Sequence, residues 1–381
     1  MRVAFYAPLK APTHPRPSGD RRMARLLLRA LALAGHEPVL ASSFRAYDPR
    51  GDKAAQARIA GEGKRIAGAL IRRYLRRPRG KRPQAWFTYH LYHKAPDHLG
   101  PAVAGALGIP YVVAEASVAP KRRRGGLAAG YKAALAAIGR ADAVLCMTGM
   151  DAEHLRPVLK RGARFVMLPP FLDAFPFARA AASRQRHRNT LDARLPGLGP
   201  WLLAVAMMRR GDKLDSYRVL ARALSRLRGR PWRLAVVGDG AARGDVKAAF
   251  APVAKRVLYL GALKLSSLPA IYAAADSYVW PGVREAYGMA ILEAQAAGLP
   301  VVAGRGTGVA DVVSDGSSGI LTDSADWKGL SRAVAKLLDD PKRRRAMGRA
   351  AMKRVVQRHG LAQAARSIDA VLRQAAAMKR A

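Results

Sequence analysis

Residues 277–303 read SYVWPGVREAYGMAILEAQAAGLPVVA. The apolar run Ser277–Trp280 predicts a buried strand, and Pro281-Gly282 predicts a turn directly after it. A helix is expected over 288–297, because the glycine and proline that follow form a helix stop. A second apolar run at 300–303 predicts another strand. Strand, helix and strand in this order predict a parallel sheet with crossover helices.

The same alternation extends over the rest of the chain in two blocks. Further strands are predicted at 3–7, 39–42, 85–89, 111–114, 143–147, 164–168, 201–206, 233–237 and 256–260. Between the blocks, residues 176–200 are rich in Arg, Ala and Pro with little apolar periodicity, which predicts a linker. The prediction is therefore an α/β protein with two Rossmann-like domains, residues 1–175 and 201–355, facing an interdomain cleft. The C-terminal helix, residues 356–381, is a candidate to pack back toward the N-terminal domain.

The start of the helix at Gly288 has the chemistry of a phosphate site. Its first backbone N–H groups have no partner within the helix and lie at the positive end of the helix dipole. Glu285 precedes the helix and Glu293 lies inside it. On one continuous helix these carboxylates would be about 12 Å apart, which suits the two ends of one extended ligand.

Glutamates eight positions apart, the aromatic–Gly start and the stretch AGLPVV at 297–302 closely resemble family-four retaining glycosyltransferases of the GT-B fold. Weaker matches lie at VVGDG (236–240), LYLG (258–261) and Ser18-Gly19. The resemblance implies that Glu293 binds the donor ribose and Glu285 the donor sugar hydroxyls. It also implies retention at the anomeric carbon. The remaining donor-binding positions carried over from the matched motifs are Gly288, Met289, Ala290, Gly19, Gly238, Gly240 and Gly261.

A departing nucleoside diphosphate needs its developing charge stabilised. The sequence has no Asp-x-Asp pair for a divalent metal, so protein cations and the helix dipole are expected to do this without a metal or other cofactor. The family usually supplies an Arg and a Lys after the first strand of the second domain. Here Arg209, Arg210 and Lys213 have the right types at a compressed spacing. The alternative is a solvated basic loop.

In the first domain, His90 follows a predicted strand and is a candidate to contact the donor sugar or the acceptor. A partly buried structural histidine is the alternative. Glu115 follows the next strand, where relatives often have a histidine, and is a candidate for a polar role there. His90, Glu115 and Glu285 are the predicted catalytic residues.

The net charge of +41 favours polyanionic partners. Residues 64–82 combine nine basic side chains with apolar residues at helical spacing, which predicts a basic helix on an anionic membrane surface. The alternative is an ordinary helix that packs its apolar stripe on the sheet. The single cysteine, Cys146, fits a reducing compartment. Together these features predict a cytoplasmic protein, peripheral on the inner face of the cell membrane.

The function predicted is transfer of a sugar from a UDP- or GDP-sugar to a lipid-linked or polysaccharide acceptor. One alternative is a non-specific nucleic-acid or polyanion-binding protein, although the sequence has no recognisable motif for specific nucleic-acid recognition. The other is a dinucleotide-dependent oxidoreductase, but the first strand–loop–helix lacks Gly-x-Gly-x-x-Gly.

Overall fold

The computed structural model describes residues 1–16, 18–285, 288–306 and 308–379. The chain divides into two compact units: residues 1–169 with the last helix, Leu361–Met378, and residues 170–360. Each unit contains a six-stranded parallel sheet with flanking helices, which confirms the predicted α/β class. Within the described ranges, no helix combines the length and the apolar composition that crossing a bilayer requires.

The sheet of the first unit has the strand order β2-β1-β3-β4-β5-β6. These strands are β1 (Arg2–Tyr6), β2 (Glu37–Ser42), β3 (Ala85–Leu91), β4 (Tyr111–Ala116), β5 (Ala143–Cys146) and β6 (Arg164–Met167). Four of the five residues of β1 and six of the seven of β3 are buried, as expected for parallel strands covered on both faces. The chain leaves β1 toward one edge and β3 toward the other, so the topological switch point lies between β1 and β3.

The helices of the first unit are α1 (Gly19–Leu33), α2 (Lys53–Leu75), α3 (Gly100–Leu107), α4 (Ala128–Gly139), α5 (Gly149–Leu155) and α15 (Leu361–Met378). Helix α1 begins after Ser18, whose hydroxyl accepts the N–H of Arg21 at 3.2 Å. Helix α15 packs on α1, and its Asp369 lies 3.1 Å from the buried imidazole of His36. Residues 361–378 therefore belong to the first unit.

Helix α2 differs from the predicted basic helix 64–82 in extent and in the role of its apolar stripe. It begins at Lys53 and ends at Leu75. Its end lies close to Pro78, which disfavours helical backbone at Arg77, the residue before it. Leu70 and Tyr74 are buried in the core of the first unit, and Ile66 and Ile71 pack against that core. Most of the stripe is thus covered by the protein itself; Leu75, which is 44% exposed, remains with the basic side chains for a partner.

The sheet of the second unit has the strand order β12-β11-β10-β7-β8-β9. These strands are β7 (Trp201–Val205), β8 (Arg233–Val237), β9 (Val257–Gly261), β10 (Ser277–Trp280), β11 (Val301–Gly304) and β12 (Gly319–Thr322). The helices are α6 (Phe175–Ala182), α7 (Arg184–Arg194), α8 (Asp212–Ser225), α9 (Arg243–Ala249), α10 (Leu268–Ala274), α11 (Met289–Ala296), α12 (Val309–Val312), α13 (Trp327–Asp339) and α14 (Pro341–Arg358). The switch point of this sheet lies between β7 and β10.

Residues 176–200, predicted to be a linker, form helices α6 and α7 and pack on α10 in the second unit. Two apolar side chains anchor them: Phe177 is 3% exposed and Leu191 is 1% exposed. Arg184 and Arg188 bind the carboxylate of Asp276 at 2.7 and 2.5 Å. Two buried apolar side chains are too few to give a periodic pattern, so from sequence alone residues 176–200 resemble a loop. The unit boundary therefore lies near residue 170 rather than at 175–200.

Candidate functional sites at the two switch points

The switch point of the second sheet brings together two loops that are distant in sequence. The loop after β7 leads into α8, and the loop after β10 leads into α11. Because β7 and β10 are neighbouring parallel strands, their carboxyl ends lie side by side. This edge of an open α/β sheet is where ligands bind.

Lys213 and Glu285 form an ion pair across this edge. Lys213 lies in the first turn of α8, Glu285 lies in the loop after β10, and each side chain is 16% exposed. The indole Nε1 of Trp280 also donates to Glu285 Oε2, at 3.2 Å, and the Lys213 ammonium lies 5.5 Å from the centroid of the same indole. A half-buried carboxylate is therefore held by one cation and one neutral donor.

Glycines allow the backbone to come close around Glu285. Gly288, which precedes α11, has a left-handed backbone (φ 64°), and a Cβ there would lie 3.0 Å from Ile291 Cδ1 and 3.4 Å from Glu285 Cγ. A Cβ at Gly306 would lie 2.8 Å from the carbonyl oxygen of Glu285. The first amides of α11 thus lie beside the carboxylate loop. Tyr287, the aromatic residue of the predicted motif, lies outside the described residues.

The predicted glycines after β8 and β9 brace the loop that follows β7. A Cβ at Gly238 would lie 1.8 Å from the carbonyl oxygen of Ala206, and one at Gly240 would lie 2.3 Å from that of Met208. The N–H of Gly238 donates to the carbonyl of Gly261 at 2.8 Å. Three neighbouring strand ends therefore meet backbone to backbone, which fixes the segment that leads to Lys213.

The other predicted donor residues differ in how far the structure exposes them. Glu293 lies inside α11 and is only 2% exposed, so the protein already covers the carboxylate expected at the ribose. Met289 and Ala290 are half-buried in the first turn of α11. Arg209 and Arg210 are exposed on the loop after β7, and of the predicted cations Lys213 is the one paired with Glu285.

The first unit has its own charged cluster at its switch point. The register pairs Tyr89 with Ala114 and Leu91 with Ala116, so His90 and Glu115 lie opposite each other on β3 and β4. Both have left-handed backbone, with φ of 61° and 56°. The imidazole Nδ1 of His90 lies 3.8 Å from Glu115 Oε1 and 3.2 Å from Oδ1 of Asp20, in the first turn of α1. Non-glycine residues hold this conformation at a cost, which is common at functional sites.

The cluster changes the acidity of each member. Burial lowers the pKa of His90, but the negative charges of Glu115 and Asp20 outweigh it and raise that pKa above its usual value. Burial raises the pKa of Glu115. Burial also acts to raise the pKa of Asp20, but the hydrogen bond and the charge of His90 prevail and lower it. The sites of the two units thus both place a carboxylate beside a basic nitrogen, that of Lys213 in one and that of His90 in the other.

Several contributors were not apparent from sequence. Asp20 follows Ser18-Gly19 directly, and an acid in the first turn is also what an ordinary helix start shows. Trp280 ends a buried strand, so it is expected to be a core residue. At Gly19 a Cβ would meet no atom within 4 Å, so no close approach within the protein explains that glycine. In the described part of the chain, no group of three or more His, Cys, Asp or Glu side chains is placed to hold a metal ion.

Two doubly wound parallel sheets, each with a charged cluster at its switch point, define the class of fold: the protein has the GT-B architecture. Residues 203–354 match the family model described as "Glycosyl transferases group 1". The second unit therefore contains a glycosyl transferases group 1 domain, and the predicted family resemblance is confirmed.

Named relatives agree with this assignment. The chain is 33% identical over 229 residues to a GDP-mannose-dependent alpha-(1-6)-phosphatidylinositol monomannoside mannosyltransferase of Mycolicibacterium smegmatis, covering 57% of this chain and 58% of the relative. It is 31% identical over 222 residues to a D-inositol 3-phosphate glycosyltransferase of Segniliparus rotundus, covering 56% of this chain and 48% of the relative. The chain thus spans about half the length of these relatives. HepE from Anabaena, solved in complex with UDP, shares the fold with a TM-score of 0.74 and 14% identity over 98% of this chain and 100% of that one.

Proposed function

We propose that this protein is a retaining glycosyltransferase that uses a nucleoside diphosphate sugar, UDP- or GDP-linked, as its donor and needs no metal. The observation that carries the proposal is the Lys213–Glu285 ion pair beside the first turn of α11. The family match over the second unit supports it, as do the GDP-mannose dependence named for one relative and the UDP complex of one structural neighbour.

In this proposal the second unit holds the donor. The amides at the start of α11 and the dipole of that helix face the diphosphate, and Lys213 neutralises the charge that develops as the phosphate departs. Glu285 accepts hydrogen bonds from the sugar hydroxyls. The Lys213–Glu285 pair then holds both side chains in place before the donor arrives. Arg209 and Arg210 remain candidates to reach the phosphates from the exposed loop.

The proposed acceptor is lipid-linked or a polysaccharide, and the first unit binds it. His90 and Glu115 are proposed to meet hydroxyl groups at that unit's switch point, where Asp20 fixes the imidazole. Attack of the acceptor hydroxyl on the face from which the phosphate leaves retains the anomeric configuration. The exposed cations of 64–82 are proposed to hold the protein on the inner face of the cell membrane chiefly by charge, because most of the apolar stripe is buried in the first unit.

The donor site is tested by thermal-shift titration with UDP, GDP, ADP and NAD. We expect one nucleoside diphosphate to raise the melting temperature, and Lys213→Met and Glu293→Ala to reduce that shift. Lys255→Met, at an exposed position of the same unit, is the matched control and should respond like the native protein. Equal shifts from all four nucleotides that vanish in 0.5 M salt would contradict the proposal and favour non-specific polyanion binding.

The chemistry is tested by following hydrolysis or transfer of the donor that carries the selected nucleotide. Glu285→Gln should lower kcat by about tenfold to a thousandfold, because it removes the charge that positions Lys213 and one acceptor for the sugar. Proton NMR of the first product formed reports its anomeric configuration, and an inverted product would rule out retention. Activity that disappears with EDTA and returns with Mg²⁺ would rule out metal independence.

A further inference from the structure

Helix α14 (Pro341–Arg358) carries charges that oppose its own folding. It has eight basic side chains and no acidic one in 18 residues. Residues 342–345 are all basic and occupy its first turn, where the positive end of the helix dipole repels cations. Like charges three and four positions apart repel each other as well. A helix that keeps such a pattern calls for an explanation outside its own stability.

Two of the eight cations have a structural role. Arg344 donates to the carbonyl of Leu337 at 2.6 Å, and Arg354 donates to the carbonyls of Val312 and Asp311 at 3.2 and 2.9 Å. Burial lowers the pKa of both guanidinium groups, and neighbouring arginines lower it further. Asp276, Asp311 and the N-cap residue Asp340 lie near these two arginines and the start of α14, so the cations on the outward face are the ones that remain for a partner.

Four other cations share the outward face of the helix. The inward face carries the buried residues Met347, Gly348, Ala351 and Val355, and the opposite face carries a row that we call the basic row: Lys342, Arg345, Arg349 and Lys353. All four are exposed, and no ion pair joins them to an acid within the described residues. The row is about 16 Å long, from eleven steps of 1.5 Å. Val356, which is 63% exposed, lies on the same face.

The basic row is mounted on a rigid support. A Cβ at Gly348 would lie 2.1 Å from the carbonyl oxygen of Gly298, at the end of α11. The two backbones therefore touch, and α14 cannot shift without moving the helix whose first turn borders Glu285. A fixed row of cations presents its charge without the loss of backbone entropy that ordering a loop would cost.

We propose that the basic row docks the second unit on an anionic membrane surface. Lysine and arginine side chains near such a surface are each attracted to it, and the attraction adds along a row. The exposed Val356 on the same face fits an interface with acyl chains below the headgroups. Helix α14 offers no aromatic side chain on which bases of a single strand would stack, which favours lipid over nucleic acid. The proposal goes beyond the transferase reaction and does not depend on it.

The test is co-sedimentation of the full chain with vesicles of phosphatidylcholine containing 30% phosphatidylglycerol, in 150 mM salt. The row variant carries Lys342→Gln, Arg345→Gln, Arg349→Gln and Lys353→Gln. The matched control loses four exposed cations scattered over the same unit: Arg179→Gln, Arg186→Gln, Lys255→Gln and Lys264→Gln. We expect the row variant to bind at least about a hundredfold more weakly than the native chain, and the control to stay within about threefold.

Three results would overturn the proposal: native protein that stays in the supernatant, equal losses in both variants, or unchanged binding of the row variant. Binding of a 20-base-pair DNA duplex that survives 150 mM salt and is lost in the row variant, without vesicle binding, would assign the row to nucleic acid instead. Thermal unfolding checks the fold, and the row variant should melt no lower than the native chain because unfavourable charges are removed. The thermal shifts that nucleotides cause in the donor-site test are a separate measurement, so each of these outcomes leaves the proposed function standing or falling on its own test.

Discussion

His90 and Glu115 lie between the same two paired positions of neighbouring strands, and both adopt left-handed backbone at that level of the sheet. A left-handed residue at the end of a strand turns its side chain out of the normal alternation. Two such residues side by side bring an imidazole and a carboxylate within 3.8 Å of each other. Neither strand could achieve this alone.

Asp20→Asn should lower the pKa of His90, because it removes both a negative charge and a hydrogen-bond acceptor from the imidazole. Proton NMR titration of the histidine Cε1–H signals measures the effect directly. Asp151→Asn is the control: its charge also raises the pKa of His90 but contributes less than Asp20 or Glu115, so its shift should be smaller. Equal shifts from the two variants would show that Asp20 has no special contact with the ring.

The same cluster predicts the sign of a stability effect. The pKa of His90 in the folded chain lies above its unfolded value of about 6.5, so protonated His90 stabilises the native state fully below pH 6.5. This contribution is lost as the pH rises through the folded value. His90→Gln should therefore destabilise the protein more at pH 5.5 than at pH 8.5, as measured by urea unfolding. A destabilisation that is the same at both pH values would contradict the assignment.

Gly288→Ala should weaken nucleotide binding more than it weakens the fold. A left-handed alanine costs about 1 kcal/mol, and the new Cβ would press on Ile291 and on the carboxylate loop. Gly35→Ala is the matched control, since Gly35 is also left-handed (φ 77°) but faces open space. Thermal shifts with the selected nucleoside diphosphate should fall in the first variant and persist in the second. Similar losses in both would mean that only backbone strain is measured.

His359 makes the protein sensitive to acid. Burial lowers its pKa to about 4, and its Nδ1–H donates to the carbonyl of Pro170 at 2.7 Å. The unfolded chain binds a proton on this residue near pH 6.5 and the folded chain near 4, so stability is lost as the pH falls between them. The loss should reach about 3 kcal/mol and be absent in His359→Gln. His154→Gln, at an exposed position, should keep it, and urea unfolding at several pH values provides the measurement.

Asp276→Ala should release helices α6 and α7 from the second unit. Its carboxylate accepts from Arg184, Arg188 and the backbone N–H of Trp201, at 2.7, 2.5 and 2.7 Å. Removing a largely buried partner of two cations should cost about 3 kcal/mol. Limited proteolysis should then cut within 175–200 faster than it cuts the native chain. Asp339→Ala breaks an exposed ion pair with Arg230 and should leave both stability and cleavage little changed.

The elements of the sheets follow from local signals. A buried parallel strand is a short apolar run, and the stretch 277–303 contains two such runs with a helix and its stop between them. These signals act within a few residues, so the strands, the start of α11 and the two-sheet plan were predictable. The linker prediction for 176–200 was wrong because two buried side chains and one distant carboxylate hold those helices. The apolar stripe of 64–82 was likewise ambiguous, since a core and a membrane interface demand the same spacing.

By itself the sequence determined the fold class, the helix start proposed as a phosphate site and the identity of Glu285 and Lys213 as candidates. It did not determine that these two side chains meet, because residues 72 positions apart are joined only by the strand order that sets β7 beside β10. The strand order likewise brings Asp20 to His90, 70 positions along the chain. Local propensity selects helices and strands, whereas the pairing of charges depends on which strand ends become neighbours. Only the tertiary structure decided that.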